Sequence, residues 1–367
     1  MLYLGIDQHK RQLTVNLRGE DGSVLLKRQV STQWEKVRAF FADLAEKAGP
    51  EGGFWAMLEV CGMNPWLLEM LEEYGCGEIV VVQPTSRSRQ KTDRRDAGYL
   101  SHLLWVHREQ LAGGEHPSGL RRIEPATARQ AADRQLTTLR ATLTKKRTAV
   151  LNAVHKILRK HNREQECPTK VFQTKKVRRW LRAMELSRVD RLEMDLLLPQ
   201  WELFDQQLEV VEAKIAERAE ADEQAKLLES MPGMGHYSAV AIASRIGDIE
   251  RFRRPASLAN YFGLTPGCRN SGDATQRLGS ITKRGSKLVR YLLGQAVVKV
   301  LRFDAAMRGW YKRIKRRRGS KIARVAVMRR MVTIIWHMLK KKQKYHYELS
   351  LKKHREFEAF GGEPAAV

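Results

Sequence analysis

Two aspartates three residues apart, Asp93 and Asp96, stand in the stretch KTDRRDAGYL (91–100), crowded by Arg87, Arg89, Lys91, Arg94 and Arg95. On a helix that spacing places them on one face. Two further acids close apolar runs: Asp7 ends LYLGID (2–7), and Glu59 sits near the end of FWAMLEV (54–60). An unpaired carboxylate is costly among such residues, so Glu59 calls for a partner. Carboxylates gathered from separate segments repel one another and hold their protons tightly unless a cation neutralises them. Hard oxygen donors suit Mg2+ or Mn2+. Two such ions about 3.5–4 Å apart can activate an attacking oxygen and stabilise a leaving one at a phosphodiester. Singly, each acid has a plainer role: Asp93 as a helix N-cap, Asp96 as a first-turn acid, Asp7 as a turn residue, Glu59 as a surface acid. As a set, Asp7, Glu59, Asp93 and Asp96 read as a metal site.

The elements that must position these acids follow from hydrophobic periodicity. LYLGID (2–7), QLTVNLRG (12–19) and SVLLKRQV (23–30) read as three strands, with EDG (20–22) as a hairpin turn. TQWEKVRAFFADLAEKAG (32–49) reads as an amphipathic helix, FWAMLEV as a buried strand, and NPWLLEMLEEYG (64–75) as a helix with Pro65 in its first turn. EIVVVQP (78–84) is a further strand, and a helix follows from Thr92 to His107. A three-strand meander followed by helix–strand–helix–strand–helix resembles the RNase H-like (RuvC-like) topology. In that fold the first and fourth strands are neighbours, so Asp7 and Glu59 are expected at one rim.

The expected fold class is α/β plus all-α, in five parts: an α/β domain (1–110), a Gly- and Pro-containing linker (111–125), a coiled-coil helical region (126–222), a mostly helical C-terminal domain (223–345) and a basic, flexible tail (346–367). Leu136, Leu143, Val150 and Ile157 recur every seven residues, with Ala132 and Leu139 on the same seam. Phe204, Leu208, Val211 and Ile215 follow at spacings of four, three and four. An intramolecular antiparallel pair and a dimer seam fit this pattern equally well.

Composition narrows the partner. Lys plus Arg number 67 against 41 Asp plus Glu, a net charge of +26 in 367 residues, and 43% hydrophobic content excludes a disordered basic tail. No apolar run reaches the roughly 18 residues that span a bilayer. MLYLGIDQHK has no secretory leader, so no membrane partner and a cytoplasmic location are expected. Cys61, Cys76, Cys167 and Cys268 form no C-x-x-C pair, which disfavours zinc modules. Nucleic acid is the expected partner. Its phosphate contacts are expected at Lys283, Arg284, Lys287 and Arg290, at Lys315, Arg316, Arg317 and Arg318 within KRIKRRR (312–318), and at the basic residues around Asp93. MPGMG (231–235), with Gly233 and Gly235, reads either as a helix-hairpin-helix turn whose backbone N–H groups grip a phosphate or as an ordinary helix–helix turn. GLTPGCRNSGDATQRLGSITKRGS (263–286) offers Ser271, Ser280 and Ser286, and residue type alone selects none of them.

YLGIDQHK, LEVCG, KTDRRDA, MPGMG, IGDIERF, LANYFGLTP, NSG and ITKRGS occur in this order along nearly the whole chain. Together they resemble the DEDD transposases of bacterial insertion sequences, the insertion sequence 110 family with its 1111 subgroup. The resemblance implies an N-terminal RuvC-like domain, a coiled coil and a C-terminal transposase domain. It places the acidic tetrad on Asp7, Glu59, Asp93 and Asp96, and the essential serine on Ser271. Many relatives carry a second serine where this chain has Asn270. The implied activity is recombination without an external energy source, in which the serine attacks a DNA phosphodiester and keeps the bond energy in a phosphoserine link. Site choice would be read by base pairing of a structured noncoding bridge RNA. The implied partners are double-stranded DNA of element ends and target, that guide RNA, and further copies in a homodimer or homotetramer, working at the bacterial nucleoid. The alternatives are a metal-dependent junction nuclease using the four acids and water without a serine link, and a non-enzymatic nucleic-acid binder with a decayed site.

Overall fold

In the computed structural model the described residues are 1–62, 64–83, 93–115, 117, 120–268 and 278–346; for 93–95, 268 and 278 the description covers the backbone alone. The chain divides into two compact units, Met1–Pro125 and Ala126–Val367.

The first unit is built on one mixed sheet. Its elements are β1 (Leu2–Gln8), β2 (Gln12–Arg18), β3 (Val24–Ser31), α1 (Trp34–Ala48), β4 (Phe54–Glu59), α2 (Pro65–Glu73), β5 (Cys76–Val82), α3 (Asp93–Val106), α4 (Arg108–Ala112) and β6 (Arg122–Ile123), and the strands lie in the order β3-β2-β1-β4-β5-β6. β1, β2 and β3 form the antiparallel meander, while β1, β4 and β5 run parallel. The central strands are apolar on both faces because helices cover both. Leu2, Leu4, Ile6, Phe54, Ala56 and Leu58 pack against α1 and α2. Tyr3, Met57, Val80 and Val82 pack on the other side with Leu100 and Leu104 of α3 and Leu111 of α4. The stretch 111–125, expected to be a linker, instead supplies the edge strand β6, antiparallel to β5, with Arg122 paired to Glu78 at 2.5 Å.

The second unit contains α5 (Ala128–Lys160), α6 (Lys175–Ala183), α7 (Arg188–Glu220), α8 (Glu223–Glu229), α9 (His236–Ile246), α10 (Pro255–Tyr261), the strands β7 (Pro266–Cys268) and β8 (Leu278–Ile281), α11 (Lys287–Phe303) and α12 (Ala305–Lys341). Thr127 and Gln130 form a capping box at the start of α5, and Ser187 caps α7. The two long helices pack antiparallel, as their ion pairs record: Lys160–Asp190 at 2.8 Å, Arg147–Asp205 at 3.0 Å, Arg140–Glu212 at 2.6 Å and Arg218–Asp133 at 3.4 Å. Asp133 and Asp190 are buried within this ladder, which fixes direction and register. Of the two readings of the heptads, the antiparallel pair within one chain is the one seen. Leu143, Val150, Ile157, Leu208, Val211 and Ile215 are buried, whereas Leu139 is 46% exposed and Ala132 is exposed, so neither belongs to the seam. One end of the pair is closed by Val177 and Leu181 of α6 around Trp201. The other end is sunk among α8–α12, against Ile242, Ile246, Phe262, Val297 and Ile335. α12 is broken at Gly319, whose φ of 82° lies outside the helical region. Residues 347–367, most of the expected tail, lie outside the described residues.

Candidate functional site

The acids are positioned by one close helix–strand contact. β1 and β4 are in register at Gly5–Met57 and Ile6–Leu58, so one step further Asp7 and Glu59 leave neighbouring strands at the same level. They share the face of Tyr3, Gly5 and Met57, the face that α3 covers. At Gly5 the α3 backbone sits directly on the strand: an added Cβ would lie 2.2 Å from the Ala97 carbonyl oxygen and 2.4 Å from the Ser101 nitrogen. Leu100 and Leu104 pack with Tyr3, further back along β1, so α3 runs opposite to the strand. The turn before Ala97, which holds Asp93 and Asp96, is thereby carried over the strand ends bearing Asp7 and Glu59. A buried polar node fixes the helix against β2: the Ser101 hydroxyl donates to Asn16 Oδ1 at 2.7 Å and accepts from Arg18 Nε at 3.1 Å.

Asp7 is 8% exposed, and Glu59 and Asp96 are half-buried. The backbone of Asp93 opens α3, but its side chain and those of Arg94 and Arg95 lie outside the described residues, as do Arg87, Arg89 and Lys91 altogether. Among the described residues no three His, Cys, Asp or Glu side chains stand close enough to hold an ion. Asp7, Glu59 and Asp96 nonetheless offer only carboxylate oxygens on one rim of the sheet, a donor set that fits a hard divalent cation.

Two side chains that sequence reading passed over support this rim. His9 Nε2 lies 3.0 Å from Asp7 Oδ2. The signal was the spacing of two in IDQH, because alternate strand residues share a face. Asn64 is 4% exposed and donates from Nδ2 to Gln8 Oε1 at 2.9 Å and to the Glu59 carbonyl at 3.2 Å, while its Oδ1 accepts the Cys61 amide. One amide thus ties the end of β1 to the end of β4, beside both acids. The sequence showed it only as the residue before a helix-opening proline.

In the second unit, Asn270 and Ser271 fall in 269–277, outside the described residues, and the strands before and after that stretch are described. β7 and β8 pair antiparallel on either side of it. Below them two backbones meet without room for side chains. A Cβ at Gly263 (φ 67°) would stand 2.1 Å from the Arg284 oxygen, and one at Gly285 (φ 75°) would stand 2.0 Å from the Tyr261 oxygen. The Lys283 amide donates to Gly263 and the Thr282 amide to Thr265, at 3.1 and 2.9 Å. Of the other serines, Ser280 is exposed in β8, and Ser286 caps α11 by accepting the Val289 amide at 3.3 Å.

The expected phosphate contacts divide. Lys283, Arg284, Lys287 and Lys315 through Arg318 are exposed. Arg290 is turned inward, its Nη1 donating to the carbonyls of Phe262, Arg284 and Gly285 at 3.1, 2.8 and 3.2 Å, and burial lowers its pKa. Gly233 (φ 86°) is closed against α11, where a Cβ would meet Lys299 at 2.9 Å, whereas Gly235 opens α9 with nothing within 4 Å of such a position. No helix of the described residues is long and apolar enough to cross a membrane.

Comparison with known proteins matches both units. A family model described as Transposase, of the DEDD insertion sequence 110 type, matches residues 4–162, and one described as Transposase IS116/IS110/IS902 family matches residues 225–312. The transposase for insertion sequence element IS1111A of Coxiella burnetii is 27% identical over 270 residues, covering 72% of this chain and 70% of the relative. A probable family 20 transposase of Pseudomonas aeruginosa is 25% identical over 357 residues, covering 93% and 98%. A putative transposase, y4qE, of Sinorhizobium fredii is 28% identical over 311 residues, covering 79% and 70%. With an α/β sheet carrying the acids, a helical remainder, and a segment of each matched to a transposase family model, the chain is a DNA transposase.

Proposed function

We propose that this transposase cuts and rejoins DNA through Asp7, Glu59, Asp93 and Asp96 on a RuvC-like sheet, with Ser271 as nucleophile. The observation that carries the first half is the seating of α3 on Gly5, which brings the Asp93–Asp96 turn over the ends of the strands bearing Asp7 and Glu59. The four carboxylates would hold Mg2+ or Mn2+, which supplies charge neutralisation at the phosphodiester. His9 holds the orientation of Asp7 by its hydrogen bond, and Asn64 holds the two strand ends in register. For Ser271 the support is the family resemblance of the NSG stretch and its place between β7 and β8. Its Oγ attacks the phosphorus and gives up its proton, and the departing deoxyribose hydroxyl takes one. The phosphoserine ester so formed conserves one bond for rejoining to a new strand.

The charge of +26 and the exposed Lys283, Arg284, Lys287 and Lys315–Arg318 support contact with a polyanion backbone, here double-stranded DNA of element and target. The same resemblance supports a noncoding guide RNA that reads sequence by pairing while the protein reads shape, action at the bacterial nucleoid, and work as a homodimer or homotetramer. The test is cleavage of an element-end DNA by protein purified with its bound RNA, in Mg2+ or Mn2+. Asp7→Asn should abolish cleavage while leaving DNA binding; cleavage at the wild-type rate would remove the acids from the chemistry.

A further inference from the structure

Trp34 opens α1 without joining its core. The buried face of that helix is Val37, Phe40, Phe41, Leu44 and Ala48, whereas Trp34 is 57% exposed. Its ring meets that of the half-buried Trp66, in the first turn of α2, edge to face with centroids 5.7 Å apart. The Arg38 guanidinium, one helical turn further on, lies 5.5 Å from the Trp34 centroid. An indole held by two neighbours yet left in water offers a fixed surface to a flat aromatic ligand.

The two rings stand at the rim that bears the acids. β3 and β1 are both antiparallel to β2, so β3 ends at the same edge as β1 and β4. Trp34 follows β3, Trp66 follows β4, and β2 and β1 lie between those strands. The touching rings therefore bridge the end of β1 just beyond Asp7, on the sheet face opposite α3. Short tethers fix both rings there. The Thr32 amide donates to the Arg11 carbonyl at 3.1 Å and its hydroxyl to the Lys10 carbonyl at 3.3 Å. Two residues before Trp66, Asn64 ties the ends of β1 and β4.

The surrounding charge identifies the ligand. Lys10, Arg11, Lys36 and Arg38 are exposed around the rings, against Glu35 and Glu69. An indole in a basic frame fits a nucleotide, which couples a flat base to an anion. A base inside a duplex is stacked on both sides, so only an unpaired one can lay its face on Trp34. We propose that Trp34, backed by Trp66 and Arg38, is a stacking platform for one unpaired base of the DNA strand cut at this rim. Lys10 and Arg11 meet the phosphates between that base and the acids. Two strand widths, roughly 10 Å, separate β3 from β1, which is about three nucleotide steps along a stacked strand. Stacking tolerates every base, so the platform holds the strand at the acids without choosing its sequence. This rests on the reading that the acids of this rim cut DNA, and it adds where the strand beside the cut is held.

The test uses element-end DNA with 5-iododeoxyuridine placed in turn at each nucleotide within about four of the mapped cut. Bound to full-length protein purified with its RNA and irradiated, one position should crosslink to Trp34, in the tryptic peptide 29–36. The crosslink should form equally in Asp7→Asn. Cleavage by Asp7→Asn at the wild-type rate would therefore sink the reading of the acids without touching the platform. Trp34→Ala should slow single-turnover cleavage about tenfold with an unchanged melting temperature, and Trp34→Phe should keep it within about threefold. Stacking releases no counterions, so the salt dependence of DNA binding should keep its slope in Trp34→Ala and flatten when Lys10→Ala and Arg11→Ala are combined. Crosslinks confined to other residues, or a Trp34→Ala protein that cleaves within twofold of wild type, would overturn the platform.

Discussion

Gly5→Ala adds one methyl group at the point where the site is assembled. The new carbon would stand 2.2 Å from the Ala97 carbonyl oxygen and 2.4 Å from the Ser101 nitrogen, both of them backbone atoms of α3. Ordinary contact lies near 3.5 Å, so helix and strand must separate by about 1 Å. Ser101 also anchors the helix through Asn16 and Arg18, so the separation strains a buried hydrogen-bond node as well. Overpacking of this kind costs about 1–3 kcal/mol, enough to lower the melting temperature by several degrees while leaving the unit folded. The larger effect is on chemistry. A displacement of about 1 Å between Asp7 and the Asp93–Asp96 turn should slow cleavage about 100-fold. Gly98→Ala is the control, because its Cβ would meet only Asn16 Nδ2 at 3.7 Å, and alanine favours the helix. Single-turnover cleavage by the two variants, with thermal melts alongside, makes the comparison. A Gly5→Ala protein that cleaves within twofold of wild type would show that the seating of α3 does not set the site.

Three further outcomes follow from other contacts. Asn64→Ala leaves the Cys61 amide and Gln8 without their buried partner, so it should cost about 1–3 kcal/mol by chemical denaturation and reduce cleavage beyond that loss, whereas Glu73→Ala at the exposed end of the same helix should do neither. Gly285→Ala meets both a positive φ and the Tyr261 oxygen, and should loosen the backbone contact below β7 and β8 by at least about 2 kcal/mol, read as faster amide exchange at Thr282 and Lys283. Asp190 is held well below the usual carboxylate range, first by the Lys160 hydrogen bond and then by Ser187 and His161. Its folded-state pKa is depressed, so its contribution is full above the unfolded value near 3.9 and is lost as pH falls through the depressed one. The melting-temperature gap between wild type and Asp190→Asn should therefore hold at pH 7 and shrink below about pH 4.

Much of the first unit was legible because its signals are local. Strand and helix residues alternate at their own periods, EDG marks the hairpin, and Pro65 opens its helix. The edge strand β6 was missed because two residues carry no period, and the Gly and Pro residues before it read as a linker. In the second unit the heptads were visible, but their partner was not. A period of seven says that a face is buried without saying against which chain. The acids of the proposed site were selected by residue type. What holds them was not, because Gly5, Asn64 and Ser101 act through contacts with residues distant in sequence. The glycines of GLTP and KRGS were recognisable as motif, yet their reason, two backbones in contact, appears only in three dimensions.

The central claim is that the acids and Ser271 act on one phosphodiester. It is tested most directly by trapping the reaction on a nicked element-end DNA from which the released strand diffuses away. After nuclease digestion, mass spectrometry should find a nucleotide on the peptide containing Ser271, absent in Ser271→Ala and absent in Asp7→Asn. Undiminished strand transfer by Ser271→Ala, or an adduct on another residue, would contradict the account.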